Sequence, residues 1–133
     1  MVVSAGGVEV ARTRRAVRVL ETASPPTFYL PWVDVQRDLF LPADGGSFCE
    51  WKGGARYWTV QAGGLNLEAA AWSYPQPTAD FAAIAGCVSF YPARLECRVD
   101  GMRVTPQPGR FYGGWVTPEV VGPFKGEPGT GGW

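Results

Sequence analysis

The stretch "LECRVDGMRVT", residues 95–105, decides the fold class. Asp100-Gly101 supplies two neighbouring residues that tolerate positive φ, which a type I′ turn between antiparallel strands requires. Because side chains alternate across a strand, the apolar residues on the two sides of this turn share one face. They are Leu95, Cys97, Val99, Met102 and Val104. The stretch therefore predicts a β-hairpin with one apolar face, in which Cys97 is a small core residue.

Similar turn signals recur along the chain: "AGG" at 5–7, "DGG" at 44–46, "KGG" at 52–54 and "AGG" at 62–64. The runs between them are short and rich in β-branched and aromatic residues, as is typical of antiparallel hairpins. Helix signals are weak: Thr78 is a candidate N-cap, and Pro31 suits a first helical position. We therefore expect an all-β domain of antiparallel sheets with one or two short helices.

The segment "FCEWKGGARYW", residues 48–58, combines a thiol, charges and four aromatic rings. If Gly53-Gly54 is a two-residue turn, Cys49 lies opposite Trp58, and Trp58 shares a face with Arg56. Two interpretations of Cys49 remain: a thiolate favoured by the nearby Lys52, or a buried thiol packed on an aromatic ring. A longer turn would shift the register and exchange the two faces of the strand.

Composition excludes several classes of function. The chain has 133 residues and a net charge of zero, so it has no global field to attract nucleic acid. No apolar run reaches the ~20 residues of a membrane-spanning helix, so we expect no membrane partner. The first residues lack the pattern of a signal peptide, and the three cysteines are an odd number. These features indicate a cytoplasmic protein with free thiols.

Histidine is absent from the chain. Its absence removes imidazole general bases, Ser-His and Cys-His pairs and every histidine-containing metal site. No two cysteines are spaced as C-x-x-C. We therefore expect no metal and no cofactor, and the sequence identifies no catalytic residue.

The composition changes at Pro106. Residues 106–133 contain eight glycines and five prolines, yet large apolar residues punctuate them. A tail with so much apolar surface is expected to pack on the protein, because it would otherwise expose a sticky surface to water. We predict an ordered, extended C-terminal arm that packs on its own subunit or on that of a homodimer partner.

Four segments resemble one protein family. They are "RAVRVLETASPPTFYLPWVDV" (15–35), "CEWKGGARYW" (49–58), "AAWSYPQP" (70–77) and "IAGCVSFYP" (84–92). Together they are similar to the bacterial and fungal family called domain of unknown function 427. The arm is similar to an extension found in one bacterial branch. The family sometimes carries a nucleotidyltransferase-like label, but the sequence shows neither paired carboxylates nor a Gly-rich loop between a strand and a helix.

The resemblance implies a β-tent-like fold over residues 1–105, in which two antiparallel sheets enclose a cleft, with residues 106–133 as the arm. Relatives of that fold often hold zinc with two C-x-x-C pairs, so a zinc-free version is implied here. The positions that match the family's motifs are Arg18, Glu21, Tyr29, Pro31, Asp34, Cys49, Lys52, Gly53, Trp72, Tyr74, Pro75, Phe90 and Tyr91. Many members have proline where this chain has Glu50.

Charges embedded among aromatic residues suggest a pocket, because buried charges require partners. The predicted ligand-binding residues are Arg18, Glu21, Tyr29, Asp34, Lys52, Trp72, Tyr74 and Tyr91. The same charges could instead form a structural ion network.

Three functions remain open on this reading. The first is an aromatic-lined cleft that binds a small molecule or a peptide. The second is a metal-independent enzyme, with Glu21 or Asp34 as base and Arg18 or Lys52 stabilising an anion. The third is oligomerisation or assembly through the C-terminal arm.

Overall fold

The computed structural model describes residues 1–20, 25–49, 52–107 and 113–117. Within them the chain is all-β, as predicted, and the strands follow one another in this order. They are β1 Val2–Ala5, β2 Val8–Arg12, β3 Val17–Val19, β4 Thr27–Pro31, β5 Phe40–Cys49, β6 Gly53–Ala62, β7 Leu65–Ser73, β8 Cys87–Phe90, β9 Glu96–Val99, β10 Met102–Arg103, β11 Thr105–Pro106 and β12 Trp115–Val116.

Two antiparallel sheets make up most of this fold. The smaller has four strands in the order β10-β9-β1-β2, and the larger has six in the order β3-β4-β8-β7-β6-β5. β11 and β12 form a separate two-stranded ladder. The first strand of the chain is paired on both sides, with β2 and with β9. β1 is therefore an inner strand of the smaller sheet.

The main core lies between the two sheets. Val3, Val10 and Cys97 enter it from the smaller sheet, and Val60 and Phe90 enter it from the larger one. All five side chains are almost completely excluded from water. Burying each large apolar side chain stabilises the fold by about 1.5–3 kcal/mol, so this layer supplies most of the apolar burial that holds the sheets together.

The hairpin predicted at residues 95–105 is confirmed. Met102 pairs with Val99, and the turn residues Asp100 and Gly101 have φ of 50° and 80°. Cys97 is a free thiol with 1% of its surface exposed. Burial raises its pKa, so it remains a neutral thiol and serves as a core residue.

The register predicted for residues 48–58 is wrong. Cys49 pairs with Gly53, not with Trp58, because the two glycines lie inside β6 and do not form the turn. Glycine suits position 53 for a different reason: its φ is 107°, and a Cβ there would lie 3.0 Å from the Gln76 carbonyl oxygen. The "DGG" stretch at 44–46 is also not a turn between strands, since it forms an irregularity within β5 between Pro42 and Gly46.

Helical structure is limited to three 3-10 segments in the part of the chain that is described: Trp32–Asp34, Arg37–Leu39 and Ala79–Ile84. The third follows Thr78, the predicted N-cap residue, although the Thr78 side chain makes no capping hydrogen bond. Pro31 ends β4 and precedes the first segment. Sequence patterns indicated one short helix where the first two segments lie, since single turns are too short to show periodicity.

The tips of two hairpins touch at one end of the core. A Cβ on Gly6, in the β1–β2 turn, would lie 2.7 Å from the Gly63 carbonyl oxygen of the β6–β7 turn. Both glycines have positive φ, of 55° and 58°. Glycine at these two positions therefore lets one hairpin of each sheet meet backbone to backbone.

Part of the predicted arm completes the core. Trp115 is fully buried, and its ring centroid lies 5.4 Å from that of Phe28. Its backbone N–H donates to the Pro26 carbonyl at 2.8 Å, and its Nε1 donates to the Phe90 carbonyl at 3.0 Å. Residues 108–112 and 118–133 of the arm lie outside the described residues, so the packing of the whole arm stays a prediction.

We predict that Gly63→Ala lowers the free energy of unfolding more than Gly64→Ala does. Both residues have positive φ, which costs alanine about 1–2 kcal/mol. Only Gly63 has backbone atoms in the way, and overpacking adds about 1–3 kcal/mol. Urea unfolding of the two variants measures the difference, and equal losses would show that the hairpin contact is not tight.

Trp115→Ala is expected to lower the free energy of unfolding by about 3–5 kcal/mol, because it leaves a cavity in the core. Trp115→Phe retains a ring and should lose less. Chemical denaturation measures both variants, and ending the chain at Pro106 should similarly reduce stability or solubility. An alanine variant as stable as the natural chain would contradict the anchoring role of Trp115.

Candidate functional site

Four of the predicted ligand-binding residues form one aromatic cluster on the other face of the six-stranded sheet. Trp72 on β7 is central: its ring centroid lies 6.1 Å from that of Tyr29 and 4.4 Å from that of Tyr91. Tyr29 also lies 6.4 Å from Tyr74, and the Trp72 Nε1 donates to the Tyr29 hydroxyl at 3.1 Å. The rings pack against one another, so the cluster is a second, smaller core.

A fifth predicted residue, Lys52, joins this cluster at its edge. Its Nζ lies 5.6 Å from the centroid of the Tyr74 ring, a favourable position for a cation over a π face. Burial first, and then the neighbouring Tyr57, raises the pKa of Tyr91 to about 12. Tyr91 therefore keeps its proton at neutral pH.

The other three predicted residues are not part of this cluster as described. Arg18 is exposed on β3, where it alternates with Val17 and Val19, which contact the cluster. Asp34 lies with Thr13 and Arg15. Glu21 falls outside the described residues.

Asp34 holds the 3-10 segment Trp32–Asp34 in place. Its carboxylate accepts a hydrogen bond from the Thr13 hydroxyl at 2.7 Å and forms an ion pair with Arg15 at 2.9 Å. The Arg15 hydrogen bond, and next that of Thr13, lowers the pKa of Asp34. A carboxylate stabilised in its charged form is a weak proton acceptor, so this geometry gives Asp34 a structural role.

A cleft opens beside Asp34's segment, at the end of β6 opposite the Gly6–Gly63 contact. It has a volume of about 350 Å³, within the usual range of small-molecule sites. Its described walls are Trp32, Arg37, Arg56, Trp58, Ser73, Tyr74, Pro75, Gly86 and Cys87. We call this space the tryptophan cleft.

One arginine in the tryptophan cleft rests on two tryptophan rings. The Arg37 guanidinium carbon lies 4.7 Å from the Trp32 centroid and 4.3 Å from the Trp58 centroid. The two indoles meet edge to face, with centroids 5.4 Å apart. A guanidinium stacked on aromatic rings can still direct its N–H groups to a ligand. The indoles thus orient a cation at the cleft.

A second cation lines the same wall. Arg56 lies two residues before Trp58 on β6, so both side chains leave the strand on the same face. No carboxylate in the described part of the chain pairs with Arg37 or Arg56. Two exposed guanidiniums on one wall therefore favour an anion as their partner.

Ser73 adds a hydroxyl to this wall. It is buried, and its oxygen accepts a hydrogen bond from the Trp58 Nε1 at 2.9 Å. An oxygen that accepts in this way keeps its own proton to donate. The bond also fixes the indole plane on which Arg37 rests, so Ser73 orients the site from below.

Nucleophilic and metal chemistry find little support in these residues. Cys87 lines the tryptophan cleft, but burial raises its pKa, which opposes a reactive thiolate. The structure describes no group of three potential ligands among cysteine, aspartate and glutamate side chains. The prediction of a zinc-free protein stays a prediction, and the side chain of Cys49 lies outside the description.

Sequence reasoning missed most of the tryptophan cleft. The sequence placed Arg56 on the same face as Trp58, but the arginine that stacks on the Trp58 ring is Arg37, which is 21 positions away in the chain. The signal that could have found it is "PWVDVQRDL", residues 31–39, where a tryptophan and an arginine lie five positions apart in a segment without regular periodicity.

The fold and this cleft define an all-β domain with a cationic, aromatic-walled site. The family described as "Domain of unknown function (DUF427)" matches residues 1–105, and the chain belongs to that family. The match confirms the resemblance noted in the sequence. No curated protein matches the chain. Among the described residues, no helix has the length and apolarity to span a membrane.

We predict that Asp34→Asn destabilises the protein at neutral pH but not in acid. Because folding lowers the pKa of Asp34, its contribution is present above the unfolded pKa of about 3.9 and is lost as pH falls through the folded value. Urea unfolding from pH 7 to pH 2 should show the two proteins converging. Asp44→Asn, at an exposed carboxylate, is the control, and a constant difference at every pH would contradict the ion-pair account.

Proposed function

We propose that the protein is a binding module for a small molecule or peptide that carries an oxyanion, held in the tryptophan cleft. The observation that supports this most directly is the Arg37 guanidinium, stacked on Trp32 and Trp58 beside Arg56. Arginine pairs with carboxylate and phosphate through two parallel hydrogen bonds. The stacking reduces the freedom that Arg37 would lose on binding, which favours affinity.

The site differs from the one expected from the sequence. The aromatic residues predicted to line the cleft pack mainly against one another, and Tyr74 is the one that also lines the tryptophan cleft. The tryptophan cleft combines aromatic walls with basic side chains, as the expected site did, but most of its residues are different. Arg37 and Arg56 take the place proposed for Arg18 and Lys52.

The enzymatic alternative has weaker support. Asp34, a proposed base, is committed to Thr13 and Arg15, and no described carboxylate lines the tryptophan cleft. The assembly alternative rests on the arm, whose described part buries Trp115 within the same chain. A homodimer and a cytoplasmic location, the latter suggested by the two buried free thiols Cys87 and Cys97, remain predictions.

A thermal-shift screen of carboxylate and phosphate metabolites tests the proposal. A ligand at 100 times its dissociation constant adds about 2.7 kcal/mol of stability, which corresponds to a rise of several degrees in the melting temperature. Uncharged amides and dephosphorylated analogues of the same compounds are the ligand controls, and we expect no shift with them.

We expect Arg56→Gln to weaken binding of any hit by about tenfold or more, because a hydrogen bond between charged groups contributes about 1.5–3 kcal/mol. Arg56→Lys keeps the charge but not the paired geometry, and should recover part of the affinity. Arg94→Gln, at an exposed arginine absent from the described walls, should bind as the natural chain does. Isothermal titration measures the affinity of the natural chain and of the three variants. An Arg56→Gln affinity equal to that of the natural chain would refute the site.

A further inference from the structure

A second cavity adjoins the tryptophan cleft. It has a volume of about 560 Å³, and its described walls are Gly53, Gly54, Arg56, Pro75, Gln76 and Thr78. Arg56 and Pro75 line both cavities. The two spaces therefore lie next to each other, and we call the second one the glycine channel.

The walls of the glycine channel are fixed by contacts between two segments. The Thr78 backbone N–H donates to the Lys52 carbonyl at 3.1 Å. Gly53 approaches Gln76 so closely that a Cβ would lie 3.0 Å from its carbonyl oxygen. These contacts hold the start of β6 against the loop 75–78, so the channel does not require a ligand to form it.

The chemistry of the glycine channel differs from that of the tryptophan cleft. Apart from Arg56, its described walls carry no charge and consist of glycine backbone, proline, an amide and a hydroxyl. An ideal Cβ on Gly54 meets nothing within 4 Å, so the backbone there is open to a neighbour. Such walls suit a neutral, polar group that exchanges hydrogen bonds with them.

We infer that the bound molecule is elongated, with an oxyanion head at Arg37 and Arg56 and a neutral polar tail along Gly53-Gly54. The inference rests on the proposed function and specifies its ligand class. The two wall residues that both cavities share, Arg56 and Pro75, support it, since a head bound at Arg56 has the second space directly beside it. The head is a carboxylate or a phosphate monoester, and both meet the same guanidinium chemistry.

Two ligand series test the inference and distinguish the two heads. The carboxylate series is acetate, N-acetylglycine and N-acetylglycylglycine. The phosphate series is inorganic phosphate, glycerol phosphate and ribose 5-phosphate. In the series with the correct head, we expect each longer member to bind the full-length protein more tightly, with a total gain of about tenfold or more, equivalent to about 1.4 kcal/mol.

Filling the glycine channel should remove the increase in affinity with ligand length without weakening the binding of the oxyanion head. Gly54 does not have positive φ, and its surroundings are open, so Gly54→Phe can place a ring in the channel without backbone strain. The variant should bind the longest ligand no better than the shortest one, whereas Gly54→Ala should lose much less. Gln76→Trp fills the channel from the opposite wall and is the test variant if Gly54→Phe does not fold.

The outcomes separate the two proposals. The elongated ligand is refuted, and the anion site stands, if the short ligands bind but the longer members of the series bind no more tightly. The same conclusion follows if Gly54→Phe and Gln76→Trp still bind the longest ligand more tightly than the shortest one, as the natural chain does. If no member of either series binds, or if Arg56→Gln leaves head binding unchanged, the proposed function itself is refuted. Circular dichroism and melting temperatures confirm that each variant is folded before titration.

Discussion

The position of Trp58 is the constraint on which both the core and the cleft depend. Its indole is nearly buried between the sheets, while its Nε1 donates to the buried Ser73 hydroxyl on the neighbouring strand. One edge of the ring meets Trp32, and Arg37 rests on both indoles. Since the ring is fixed from inside the protein, the cation above it is oriented by the fold itself. This arrangement makes the cationic wall an extension of the hydrophobic core.

The sequence predicted those parts of the fold that depend on neighbouring residues. The Asp100-Gly101 hairpin is found as expected, because its two residues with positive φ determine the turn within one short stretch. The register of β5 and β6 was wrong for the opposite reason. Gly53 has a φ of 107°, and a Cβ on it would lie 3.0 Å from the Gln76 carbonyl oxygen, a contact across the fold that leaves no local pattern.

The residues of the candidate site could be predicted only in part from the sequence. Tyr29, Trp72, Tyr74 and Tyr91 do lie together, as their places in core-like segments indicated. Whether they form a pocket or a packed cluster depends on the distances between the rings. The sequence pattern does not determine those distances. Arg37 was missed because it reaches Trp58 from a single 3-10 turn. Its position follows from the tertiary structure.

Trp115 lies outside the 105 residues that match the family, yet it fills the core between Phe28 and Phe90. This order of the chain has a consequence for biosynthesis. β1 has one edge unpaired until β9 is made, about ninety residues later, and a domain emerges at roughly 5–20 residues per second. Trp115, which is buried in the main core, is made later still. A fold whose contacts join such distant residues forms slowly, so the nascent chain exposes a strand edge and an open core for seconds during translation.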